Sequence, residues 1–98
     1  MKKLLLTLLM ATTAQAENVE LPLQWDAVTA QPPVTHYTIY KDDAISSMPE
    51  TTTATVTVDN SKTTKLEVSA SNQVGESGKS DPLFVARPAT PANLKLAD

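Results

Sequence analysis

From Leu21 onward, apolar and polar residues alternate in short runs that stop at turn residues. Leu21, Leu23 and Trp25 alternate with Pro22, Gln24 and Asp26, the period of two of a half-buried strand. Gln31-Pro32-Pro33 interrupts, and Thr35 to Lys41 then places Tyr37 and Ile39 on one face. A loop carrying Asp42-Asp43 and Met48-Pro49 follows. Ala54, Val56 and Val58 alternate with threonines, which suit a pleated, half-exposed surface. Asp59-Asn60-Ser61-Lys62 is a turn cluster, after which Leu66, Val68 and Ala70 alternate with Glu67, Ser69 and Ser71. A glycine-containing loop leads to a last strand over Pro82 to Arg87. No segment sustains apolar spacing of three and four. The pattern predicts an all-β, antiparallel sandwich of six to seven strands.

The first sixteen residues stand outside that pattern. Met1-Lys2-Lys3 is a basic head, Leu4 to Met10 is apolar except for Thr7, and Ala14-Gln15-Ala16 is a small-x-small cleavage pattern. This reads as a secretory signal peptide cut after Ala16, hence a secreted or periplasmic product. The weakly polar span Leu4–Ala16 is well short of the ~20 residues a spanning helix requires, so no membrane anchor is expected after cleavage. Lys2 and Lys3 leave with the leader. Six basic residues then face eleven acidic ones over residues 17–98, a net charge of −5. That balance argues against nucleic acid and anionic lipid as partners, because both need a basic face. The chain has no cysteine, so no disulfide supports it, and 82 residues must fold around a small core as one domain.

Leu23-Gln24-Trp25-Asp26, Tyr37-Thr38-Ile39-Tyr40, and the run Val68-Ser69-Ala70-Ser71-Asn72-Gln73-Val74-Gly75 with Ser77 and Ser80 together resemble a fibronectin type III domain. The resemblance covers about Glu20 to Arg87, so residues 17–87 are expected to form the domain. It implies an immunoglobulin-like fold with Trp25 in the core beneath the tyrosine strand. We therefore expect Trp25 to be buried between two sheets, against Tyr37 or Ile39 and Leu66 or Val68. Two departures stand out. Leu66 occupies the place of the family's tyrosine at the start of its sixth strand, and the family's first strand has no counterpart ahead of Leu21. Residues 88–98 form a proline-containing tail, and Pro88 to Leu96 resembles the opening of such a domain displaced to the C-terminus. Asn93, Leu94 and Leu96 are candidate strand-donor residues. A disordered tail is the simpler reading. Pairing with the chain's own second strand would require crossing back about 20–25 Å, the length of a strand, whereas Arg87 to Pro91 spans at most ~17 Å.

Val74-Gly75-Glu76-Ser77-Gly78-Lys79-Ser80 resembles a phosphate-binding loop, but the spacing fails. Gly, four residues, then Gly-Lys-Ser would need glycine at Gln73. Such a loop must also open a helix whose N-terminus faces the anion, and here Asp81-Pro82 precedes a strand. We expect a hairpin in which Gly75 and Gly78 permit positive φ, and no nucleotide.

Other chemistry is sparse. His36 has no partner suggesting catalysis or metal binding, and reads as a strand surface or edge residue. Asp42-Asp43 lacks the spacing of a calcium loop, and nothing joins Asp26 to Asp59. No catalytic residue, cofactor or metal site is expected. The candidate contact loop is Asn72, Gln73, Gly75, Glu76, Ser77, Gly78 and Lys79, with Glu76 and Lys79 at its tip. The function expected is an exported, non-enzymatic binding or spacer module acting on a protein partner. The alternatives are a structural subunit assembling head-to-tail with copies of itself through its C-terminal tail, and an accessory module of a secreted carbohydrate-active system.

Overall fold

The computed structural model describes residues 17–97, and the expected leader lies outside them. Six strands follow in order: β1 Asn18–Gln24, β2 His36–Lys41, β3 Ala44–Ser47, β4 Thr53–Asp59, β5 Thr64–Ser71 and β6 Leu83–Val85. No helix occurs among the described residues. The strands form two antiparallel sheets, one of two strands in the order β1-β4 and one of four in the order β3-β2-β5-β6.

The alternation read from the sequence builds the space between the sheets. In β4, Val56 and Val58 are buried, while Thr53, Thr55 and Thr57 face solvent. Leu66 of β5 packs with these valines, and Leu21, Leu23 and Val85 pack against the group from both sheets. Tyr37 and Ile39 of β2 are buried beside Ala70 of β5, since Tyr37 pairs with Ala70 and Ile39 with Val68.

One strand departs from expectation because of a turn. Asp42 and Asp43 both take left-handed backbone, at φ 51° and 70°, and join Lys41 directly to its partner Ala44. Two residues at positive φ form the turn whose twist matches an antiparallel hairpin, and Asp tolerates that conformation. β3 therefore forms where a loop was expected. Its four residues, Ala44-Ile45-Ser46-Ser47, have no alternation to reveal them, and Ile45 is exposed.

Trp25 also departs. It lies one residue beyond β1, although its N–H still donates to the Thr52 carbonyl at 3.1 Å. The ring is half-buried and meets Tyr37 edge-on, with centroids 5.6 Å apart. It shares clefts with Ile39, Leu66 and Val68, but one flank of the two-sheet structure is open there. Its Nε1 is buried without a hydrogen-bond partner. The buried aromatic residue at this place is Tyr37, whose hydroxyl accepts the Val28 N–H at 3.1 Å.

Candidate functional site

The loop between β5 and β6 is built by serine hydroxyls. Ser77 N–H donates to the Ala70 carbonyl at 2.7 Å, and Ala70 N–H donates back to Ser77 Oγ at 3.0 Å. Two residues further along β5 the arrangement repeats. Ser80 N–H donates to the Val68 carbonyl at 2.8 Å, and Val68 N–H donates to Ser80 Oγ at 3.0 Å. In a regular antiparallel pair the acceptor would be the facing residue's own carbonyl. Here the hydroxyl replaces it, so Ser77 and Ser80, three apart, match Ala70 and Val68, two apart. The extra residue makes this segment bulge as it runs along β5.

That irregularity directs side chains onto the outer face of the four-stranded sheet. Glu76 reaches across β5 and accepts from the hydroxyls of Ser69, at 2.5 Å, and Tyr40. Lys79 Nζ lies 4.2 Å from the centre of the Tyr40 ring and 3.9 Å from Asp43 Oδ1. Asp43 also pairs with Lys65 at 2.8 Å. His36, on the same face at the start of β2, is half-buried and contacts Thr35 Oγ1 through Nδ1 at 3.0 Å.

The other candidate residues take structural places. Asn72 closes the hairpin end: its Oδ1 accepts the N–H groups of Val74 and Gly75, and its Nδ2 donates to the Pro32 carbonyl. With Asn72 N–H bonded to the Gly75 carbonyl and Ser71 bridged to Glu76, the tip is Gln73-Val74. Glu76 and Lys79 lie behind it, held against Tyr40. Gly75 has φ 158°, whereas Gly78 has no positive φ, so only one of the two glycines takes the conformation expected of both. A β-carbon at either would meet nothing within 4 Å. No helix follows Lys79. Asn93, Leu94 and Leu96 lie in an unpaired tail, and Asn93 has φ 58°.

Asp26 and Asp59 stand at opposite ends of β1. Asp59, paired with Asn18, accepts the N–H and hydroxyl of Ser61. Among the described residues no group of three or more His, Cys, Asp or Glu converges on a metal-sized site. With no helix among the described residues, there is none long and apolar enough to cross a membrane.

The cluster is electrostatically coupled. Hydrogen bonds from Ser69 and then Tyr40 hold the Glu76 carboxyl below its ordinary 4.5. The bond to Glu76 raises the Tyr40 hydroxyl above 10.0, because ionising it would break that bond and set two negative charges together. The signs define a window. The Glu76 contribution is present above 4.5 and lost as pH falls through its lowered pKa. The Tyr40 contribution is present below 10.0 and lost as pH rises through its raised one. Melting temperature is therefore expected to be flat between these limits and to fall on both sides. Glu76→Gln should flatten the acid limb only in part, since Asp43 and Asp59 are also held below 3.8, chiefly by bonds from Lys65 and Ser61 respectively. An acid limb that Glu76→Gln leaves unchanged would show that the carboxylate contributes nothing.

Comparison with known protein families, curated proteins and solved structures returns no match for the chain.

Proposed function

We propose that this protein is an exported, non-enzymatic interaction module of fibronectin type III type, binding another protein through the end of the molecule where the β1–β2 and β5–β6 loops meet. The observation that carries the reading is the apolar patch at that end. Val74, at the tip of the serine-pinned hairpin, is 82% exposed, and Val28 of the facing loop is 50% exposed. With Ala30, Val34 and Ala70 they line a cleft of about 420 Å³. The patch is held by Asn72, which ties the hairpin to Pro32, and by the Val28–Tyr37 hydrogen bond. A rigid framework presenting apolar side chains on short loops suits protein recognition, because little ordering entropy is lost on binding. The sheet order, with β1-β4 facing β3-β2-β5-β6, supports the family resemblance.

The test is capture from the native secreted fraction by the immobilised mature protein, compared with Val74→Asp. The variant should fold normally, since this side chain is almost fully exposed, and should lose a partner that the parent retains. A partner retained equally by both would remove this end of the molecule as the site.

A further inference from the structure

Among the described residues the outer edge of β1 is open. Asn60 N–H donates to the Glu17 carbonyl and Trp25 N–H to the Thr52 carbonyl, so the odd-numbered residues between them direct their backbone groups at β4. Antiparallel alternation turns those of Asn18, Glu20, Pro22 and Gln24 the other way. No described strand pairs with that side. Pro22 fits there because its missing N–H falls on the unpaired edge. Beside the edge runs a cleft of about 520 Å³, lined by Val19 and Leu21 of β1 and by Phe84 and Val85 of β6. Phe84 is 61% exposed, and Leu83 is half exposed although its partner Leu66 is buried.

The same chain carries a segment shaped for this place. Leu94 and Leu96, two apart, are 100% and 93% exposed, with Lys95 between them. The tail leaves β6 at the end of the molecule where β1 begins, since Val85 pairs with Thr64 just after the turn that follows Asp59, the partner of Asn18. Yet it does not return to its own edge.

We propose that in the mature chain the segment Leu94–Leu96 of a second copy adds to the outer edge of β1 as an antiparallel strand. Pro22 and Glu20 select the register. Lys95 opposite Glu20 keeps both backbone hydrogen bonds of that pair, whereas Lys95 opposite Pro22 would lose one. The chosen register sets Leu94 against Leu21 and Leu96 against Val19, both facing the cleft. Lys95 then lies beside Glu20 on the outer surface, where opposite charges across strands attract. Addition at an exposed edge is a recognised way for β-proteins to associate. It uses a different surface from the loop end assigned above, and the Val74→Asp variant should associate normally.

Light scattering on the mature protein over a concentration series tests this directly. The parent should exceed monomer mass as concentration rises, whether copies exchange tails reciprocally or form an open chain. Leu94→Asp with Leu96→Asp should stay monomeric, and should melt like the parent at dilutions where the parent too is monomeric, because both side chains are in solvent in the single chain. Glu20→Lys and Lys95→Glu should each weaken association about two- to fivefold, and the pair together should restore it. The chain has no cysteine, so mixing Leu21→Cys with Leu94→Cys should yield a disulfide-linked heterodimer under oxidation. A parent monomeric throughout, association surviving in the double aspartate variant, or a monomer that the double variant destabilises through a tail folded on its own edge would each overturn the proposal.

Discussion

Replacing Ile39 with alanine is expected to leave the protein at the margin of folding. Ile39 is 1% exposed in the middle of β2 and ranks among the largest fully enclosed side chains. Truncating such a residue costs about 2–5 kcal/mol, because the lost transfer energy is joined by a cavity that rigid strands cannot close. A domain of this small size without disulfides belongs near the low end of the usual range, about 5 kcal/mol in total. Trp25→Ala should cost less despite removing the larger side chain. The indole is only half-buried and its Nε1 has no hydrogen-bond partner, so truncation relieves an unpaired donor while forfeiting the edge-on contact with Tyr37. That contact contributes about 0.5–1.5 kcal/mol beyond the area it covers. Urea denaturation of the two variants decides between them. Equal losses, or a larger loss for Trp25→Ala, would place the tryptophan rather than Tyr37 and Ile39 at the centre of the core.

The serine pair should show the next largest effect. Ser77→Ala leaves the part-buried Ala70 N–H without its acceptor, and an orphaned buried donor costs about 1–3 kcal/mol. Ser80→Ala removes the same kind of bond from Val68, but that bond is exposed and water can replace the hydroxyl. The loss at Ser77 should therefore exceed that at Ser80. Ser77→Thr, which keeps the hydroxyl, should restore most of it. Amide exchange gives a local readout: the Ala70 N–H should lose protection in Ser77→Ala and regain it in Ser77→Thr. If Ala70 stays protected in Ser77→Ala, the hydroxyl is not its acceptor.

The serine pairing also explains why VGESGKS resembles a phosphate-binding loop. Serines spaced three apart are needed here to match alternate residues of β5, with Gly78 and Lys79 in the bulge between them. The glycine and lysine thus belong to an edge segment whose hydroxyls serve as ladder acceptors. Sequence spacing could exclude a phosphate loop, but it could not reveal this pairing, because a serine gives no sign of whether its hydroxyl or its carbonyl faces the neighbouring strand.

What the amino-acid order determined by itself is the part of the fold that depends on alternation. Val56 and Val58 against threonines bury one side of β4, while Tyr37 and Ile39 in β2 and Leu66 and Ala70 in β5 form the inner apolar face of strands whose opposite face is also covered at Thr38 and Ser69. A strand with one apolar face has a single stable orientation, since a shift of one residue would turn every such side chain into water. Tertiary structure decided the rest. β3 depends on two aspartates adopting positive φ, a choice made by hairpin twist rather than by any apolar pattern. Trp25 is half-buried because the flank beside β1 lacks a covering strand among the described residues. The Tyr40–Glu76–Lys79 cluster joins Tyr40 to residues 36 and 39 positions further along the chain, brought to it only when β2, β5 and the bulged segment after it lie side by side. Burial of a strand face is a local property of residue order. Which strand lies next to it, and which edge stays open, is set by packing between segments far apart in the chain.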